Sequence, residues 1–346
     1  MAESLRVAVL GMAHDHMWTN LDDLMNREDA ELIAGADGNP DLLDRFRVYT
    51  GCERRYDRHD ALLDDMKPDA VYCFSATAHH VGVVDLCAER GIPVMVEKPM
   101  AATLAQADRM LSAVRQSGIC LMVNWPMAWS RTLRTALRLV QEGQIGDLWQ
   151  ITWRGGHAGP DDVGCSDEFC EFLFDKDLNG GGAFVDYSGY GSCICLMFMG
   201  GSPNSVMGMG GRLVKKHLMV DDNGILLLRY PQAICRLEMT WTEAVSHVPS
   251  HDPVFYGRKG TLVAGKKLML HTGEHPQGSA VPLDDLPEDQ QNATDHFLSS
   301  IRNGTPPQGQ TCPELSRNAQ EITEAGLQSA TTGMEVLLPV ESHLFR

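Results

Sequence analysis

No stretch of the chain is apolar for long enough to cross a bilayer, since a helical span needs about 20 consecutive apolar residues. Basic residues are scarce beside acidic ones, 29 against 46, and the formal charge of −17 repels nucleic acid and anionic membrane surfaces. Neither is expected as a partner. The chain start lacks a basic region, a long apolar run and a small-residue cleavage site, because a strand pattern begins at Leu5. A cytoplasmic location is therefore expected, and the sequon Asn292-Ala293-Thr294 then has no glycan to carry. The ten cysteines form no paired CxxC array, so neither a disulfide framework nor a structural zinc is expected. Internal repeats and low-complexity tracts are missing as well.

What is present suits two ordinary cores: 346 residues, 43% of them hydrophobic. Short, nearly all-apolar runs at 6–10, 32–37, 70–75, 94–97 and 120–124 alternate with apolar residues at helical spacing, such as Ala107, Met110, Leu111 and Val114. That alternation predicts an α/β fold whose N-terminal domain, residues 1–125, is a doubly wound parallel sheet of the Rossmann kind. The pattern changes after Trp125. A helix at 133–140 and a strand at 148–153 precede a loop at 155–182 that is too long for a plain connection. Strand patterns from 206 to 270 are punctuated at Asp222-Asn223-Gly224, Tyr230-Pro231 and Lys259-Gly260, and helices at 288–301 and 313–330 close the chain. Residues 126–346 are thus predicted as an α+β domain with an open, mostly antiparallel sheet, serving substrate binding and oligomerisation.

The loop Gly11-Met12-Ala13-His14-Asp15-His16 lies between a strand and a helix, where a Rossmann fold brings pyrophosphate against backbone amides. Gly11 permits a tight turn and Ala13 a close approach, while His16 stands where the third glycine of the fingerprint belongs. Gly11, Met12, Ala13 and His14 are expected to hold a dinucleotide, one of the two histidines bonding cofactor or substrate and the other capping or packing. Asp37, 26 positions after Gly11, can accept both ribose hydroxyls and repels a 2′-phosphate, which favours NAD over NADP. No metal is expected, because His14 and His16 have no third ligand close in sequence and a catalytic metal needs about three.

Glu97-Lys98-Pro99 directly follows a strand pattern, at the carboxyl edge where open α/β sheets bind ligands. The run from Gly91 to Pro99, with His80 seventeen residues before Glu97, resembles the Gfo/Idh/MocA family of NAD(P)-dependent oxidoreductases. Ser75-Ala76-Thr77 is similar to that family's Thr-Pro-Asn loop, and Gly180-Gly181-Gly182-Ala183-Phe184-Val185-Asp186 resembles its glycine run before a catalytic aspartate. The likeness extends over nearly the whole chain. It implies that Ser75, Ala76, His80 and Glu97 belong to the cofactor site, that Lys98 lies beside the nicotinamide and the substrate hydroxyl, and that Asp186 contacts the substrate.

Four residues after that aspartate the family has a histidine, and this chain has Tyr190. A phenol with an ordinary pKa near 10 is poorly matched to neutral pH, so Tyr190 either works as an acid/base tuned by Lys98 or orients the substrate. Asn124-Trp125-Pro126 with Trp129 is similar to members that carry tyrosine there. Trp125 is expected to offer an indole face to a sugar ring and Trp129 to sit in a core. His157, which opens the long loop, is expected to touch substrate.

The implied activity is hydride transfer between NAD and a hydroxyl or keto carbon of a sugar, sugar acid, cyclitol or glycoside, in a homodimer or homotetramer. Lys98 and Tyr190 would assist loss of the hydroxyl proton. Two other activities suit the same residues: glycoside cleavage through transient oxidation and elimination, and ligand sensing without turnover.

Overall fold

The structure, a computed structural model, describes residues 4–245 and 250–340. Its first sheet uses β1 (Leu5–Leu10), β2 (Ala30–Ala36), β3 (Arg55–Tyr56), β4 (Ala70–Cys73), β5 (Val94–Glu97) and β6 (Leu121–Asn124). The intervening helices are α1 (His16–Met25), α2 (Pro40–Thr50), α3 (His59–Met66), α4 (His80–Glu89) and α5 (Leu104–Ser117). Every residue of β4, β5 and β6 is buried, which is why these strands read as unbroken apolar runs rather than as alternation. All pairings are parallel, in the order β3-β2-β1-β4-β5-β6. The order turns back between β1 and β4, and at such a switch point the carboxyl ends open a crevice for ligands. Strand β3 has two residues, too few to leave a pattern in the sequence.

The chain continues through α6 (Arg131–Gln141), β7 (Leu148–Gly156), α7 (Asp167–Leu173), α8 (Lys176–Asn179) and α9 (Ala183–Met199). Six strands follow: β8 (Ser205–Gly211), β9 (Asn223–Tyr230), β10 (Ala233–Thr240), β11 (Val254–Gly257), β12 (Gly260–Ala264) and β13 (Leu268–Thr272). β14 (Ser279–Val281), α10 (Ala293–Asn303), α11 (Pro313–Thr332) and β15 (Val336–Leu337) complete the described elements. The second sheet has the order β14-β13-β12-β11-β7-β10-β9-β8-β15. Only β7 with β10 is parallel. Two expectations need correction. The segment 155–182 is a loop only in part, since β7 runs on to Gly156 and two short helices, α7 and α8, interrupt the irregular stretch from 157 to 182. Asn223 and Gly224 do not turn the chain but open β9, paired with Gly211 and Gly210 of β8.

The chain up to Trp125, with Cys165–Gly180 and Pro287–Glu314, forms one compact unit, and the remaining described residues form a second. In the first, α10 begins at Asn292, whose side chain accepts from the Asp295 amide, and Tyr72 donates to Thr294 Oγ1 at 3.1 Å. The sequon is thus a helix cap and a buried hydroxyl. In the second, α9 packs on β7, β9 and β10, and Phe198 stacks on Phe255 with centroids 3.9 Å apart. All ten cysteines are free thiols, and no helix among the described residues is long and apolar enough to cross a membrane.

Candidate functional site

Each parallel strand of the first sheet except β3 ends at, or within two positions before, a residue of the candidate site. After β1, Gly11 adopts φ 77°, and a Cβ there would lie 2.4 Å from the Cβ of Ser75. Glycine alone lets the loops after β1 and β4 close on each other. Most amides of the first loop already have acceptors. Gly11 donates to Ala36 O (2.8 Å), Met12 to Asp37 Oδ2 (2.7 Å), His14 to Phe74 O (2.9 Å) and His16 to His14 Nδ1 (3.1 Å). Among the described residues, the amides of Ala13 and Asp15 are the ones in this loop with no protein acceptor, which suits an anion at the start of α1.

Gly11, Ala13, Asp37, Ser75 and Ala76 line one cavity of about 370 Å³, with Glu168 and Phe172 of α7 in the same wall. Asp37 is held by its second oxygen too, Oδ1 accepting from the Asn39 amide at 2.7 Å, and a carboxylate so held keeps further lone pairs for ribose hydroxyls. These features fit a dinucleotide. Two further residues of the expected cofactor set lie inside the protein. Met12 is buried, its amide is used by Asp37, and its side chain packs toward Gly35, so it shapes the loop from inside. His80 is also buried, its ring nitrogens 3.2 Å from Met100 O and Ser75 O. It braces two loops from behind, and burial lowers its pKa.

Glu97, wholly buried at the end of β5, joins α1 to β6. Its Oε1 lies 2.9 Å from His16 Nδ1, and its Oε2 accepts from Asn124 Nδ2 at 2.8 Å. Asn124, at the end of β6, also donates to Asn20 Oδ1 at 3.3 Å, and Asn20 Nδ2 donates to His16 O at 2.8 Å. Lys98 is 5% exposed. Burial first, then the charges of His16, Lys98 and His80, hold His14 well below the usual imidazole range. Ligand atoms of His14, His16 and Glu97 lie within 4.8 Å of one another, so the fold supplies the third group the sequence did not show. Hydrogen bonds occupy both Glu97 oxygens and His14 Nδ1, and Lys98 contributes a positive charge that would repel a cation.

Sequence reasoning missed what covers this loop. Asp15 accepts from Ser166 N (2.8 Å) and Ser166 Oγ (2.6 Å), and Thr77 donates to Asn179 Oδ1 (2.8 Å). The His14 ring sits 4.3 Å from that of Phe169. Asp15 stands beside His14 in sequence, but its partner lies 151 positions away, beyond any local pattern.

In the second unit, Asp186 lies in the first turn of α9 and accepts from Trp241 Nε1 at 3.2 Å. The helix start is held by Asp221, which accepts from the amides of Gly182 (3.0 Å) and Phe184 (2.6 Å). A Cβ on Gly182 would meet Asp221 O at 2.0 Å, which is the physical need behind the glycine run. Tyr190, half-buried, has its ring 6.2 Å from Trp153 and 6.0 Å from Tyr187, and Tyr187 lies edge-on to His157 at 5.7 Å. His157 Nδ1 accepts from the Gly159 amide at 2.8 Å. The two tryptophans differ in exposure. Trp125, expected to offer its indole face to substrate, is 1% exposed, and Trp129, expected in a core, is half-buried beneath the Arg134 guanidinium.

The sequence matches the oxidoreductase family with an NAD-binding Rossmann fold over residues 5–125, and the GFO/IDH/MocA C-terminal domain over residues 133–263. It is 26% identical to dTDP-3,4-didehydro-2,6-dideoxy-alpha-D-glucose 3-reductase of Streptomyces antibioticus, across 87% of this chain and 89% of that one. It is 24% identical to myo-inositol 2-dehydrogenase of Thermotoga maritima, across 88% and 90%. In fold it is similar to the aldose-aldose oxidoreductase of Caulobacter crescentus, with a TM-score of 0.83, 22% identity and coverage of 97% and 100%. The chain belongs to the Gfo/Idh/MocA family of oxidoreductases and is an NAD(P)-dependent dehydrogenase.

Proposed function

We propose that the protein oxidises, or in reverse reduces, one ring carbon of a sugar, sugar acid, cyclitol or glycoside, with NAD rather than NADP as cofactor. The observation that carries this reading is the buried Lys98, directly after Glu97 at the carboxyl edge of the parallel sheet and close enough to act on His14 in the loop that begins at Gly11. Bound nicotinamide supplies the hydride acceptor or donor. Gly11, Ala13, Ser75 and Ala76 shape its cradle, and Asp37 takes the ribose hydroxyls. The Lys98 ammonium holds the substrate oxygen and stabilises negative charge as the hydroxyl is lost. Asp186, fixed by Trp241, grips a neighbouring hydroxyl, Tyr190 orients the ring, and His157 adds a polar contact. Relatives named for a dideoxyhexose nucleotide and for myo-inositol support a polyhydroxylated ring. The exposed face of the second sheet supports a homodimer or homotetramer.

The test is NADH absorbance with NAD or NADP against a panel of sugars, sugar acids, cyclitols and glycosides. Net NADH with at least one member is expected, and Lys98→Ala should lower kcat by about 100-fold or more with little change in NAD affinity. Cleavage of a glycoside without net NADH would replace this reading by oxidation and elimination. Ligand-induced stabilisation without any turnover would replace it by sensing, and tighter binding of NADP than NAD would overturn the role of Asp37.

A further inference from the structure

We propose that His16 and Glu97 form a proton-accepting dyad, in which His16 Nε2 takes the proton of the substrate hydroxyl and Glu97 positions the imidazole. The inference rests on the reading that a hydroxyl is oxidised at Lys98, and it names the group that carries the proton.

The geometry fixes one edge of the ring and leaves the other open. Nδ1 faces Glu97 Oε1 at 2.9 Å, with side-chain exposures of 38% for the histidine and 0% for the carboxylate. An acceptor-only carboxylate makes Nδ1 the donor, which leaves the lone pair on Nε2. The carboxylate cannot swing away, because Asn124 Nδ2 donates to its other oxygen. The same asparagine donates to Asn20, which in turn holds the His16 carbonyl. One pair of asparagines therefore sets both members of the dyad, as hydrogen-bonded partners behind catalytic and ligating histidines do elsewhere.

The groups facing this histidine divide the work. From its own loop His14 lies 4.5 Å away, centroid to centroid, and its burial keeps it from competing for a proton. From β5 comes Glu97, bonded to Nδ1, while Lys98 and then His80 act on the neighbouring His14. An ammonium can hold the substrate oxygen but has no lone pair to accept a proton. The chain lacks an imidazole at Tyr190 and has one at residue 16, where the dinucleotide fingerprint calls for glycine. Replacing the smallest residue by histidine in a close-packed loop is costly unless the ring is used.

In the oxidative direction the substrate O–H bond breaks and its proton bonds to His16 Nε2. The electron pair left on oxygen becomes the second carbonyl bond as the C–H hydride departs with its own pair to the oxidised nicotinamide. The imidazolium that forms keeps its Nδ1–H on Glu97, which offsets the new charge. Reduction returns the proton by the same path.

The experiment compares wild type, His16→Ala, His16→Gln and Glu97→Gln, with circular dichroism and NADH fluorescence titration as checks on fold and cofactor site. In His16→Ala, kcat should fall by about 100-fold or more while KM and NADH affinity change by less than about 3-fold. Free imidazole should restore kcat at least ~10-fold in His16→Ala but not in His16→Gln, whose side chain fills the space. Independently of turnover, the low-field proton NMR resonance of an Nδ1–H on a carboxylate should be present in wild type, absent in both His16 variants and shifted upfield in Glu97→Gln. Retained kcat in a folded His16→Ala overturns the dyad, as does a loss confined to NADH affinity with no imidazole rescue. Loss of wild-type turnover on chelation overturns it in favour of a cation at the same three side chains. Were wild type to turn over no substrate, the proposed function would fail, while the resonance would still decide whether the dyad exists.

Discussion

His14 is 2% exposed and His80 1%, and burial is the first cause that holds each below the ordinary value of 6.5. The half-buried His59 is shifted the same way by desolvation. An unfolded chain takes up these protons near pH 6.5 and the folded one resists them, so stability is full above that pH and falls as pH drops below it. Carboxylates held low by their partners, such as Asp29 and Asp161, act in the same direction only in more acid solution. The expected outcome is a Tm that declines between pH 7 and 5, with a shallower decline in His14→Gln. A flat profile over that window would refute it. The residue types at this site were legible in the sequence: Gly11, Asp37, Glu97 and Lys98 stand where strand ends predict them. Their partners were not. Glu97 meets His16 across 81 positions and Asp15 meets Ser166 across 151, and no periodicity in one segment encodes a contact with another.

Among the elements, α9 shows most clearly what a pattern can and cannot say. Thirteen of its seventeen residues are buried, so it has no polar face, and a helix apolar all round leaves no stripe for periodicity to detect. What marked its start was the glycine run and Asp186. Strands β4 to β6 were legible for the opposite reason: short, β-branched and bounded by turn residues, they left only their ends in doubt, by one or two positions. The start of α9 depends on Asp221, distant in sequence, whose carboxylate caps the amides of Gly182 and Phe184. Desolvation raises its pKa while those two amides lower it. Asp221→Ala should cost about 1–2 kcal/mol, the range of a lost N-terminal cap, read as a lower urea midpoint with an unchanged slope. Because the same turn carries Asp186, KM for the sugar should rise while NADH affinity stays as in wild type. Unchanged stability and KM would show that the glycine run alone sets the turn.

At the scale of the whole molecule the two sheets differ in one respect that bears on assembly. The parallel sheet is covered on both faces, as its all-buried strands show. The second sheet buries Leu226, Leu228, Cys235 and Leu237 under α9, while Met207, Met209, Leu227 and Ile234 on the alternate positions are exposed. The register sets Met207 opposite Leu227 and Leu227 opposite Arg236, so these side chains share one face with Arg229, Arg236 and Glu238 around them. Exposed apolar side chains grouped on one sheet face are what a protein interface uses, and a face used by two copies of one chain about a two-fold axis needs no other partner. Leu227→Asp and Ile234→Asp each place a carboxylate on that face, on the side of the sheet away from α9. Light scattering should give a multiple of the 38.1 kDa chain mass for wild type and a smaller multiple for the double variant, with circular dichroism unchanged. A wild-type protein that is already monomeric at micromolar concentration would sink the assignment. So would a double variant that keeps its full mass, since two added carboxylates would have to be desolvated in such an interface.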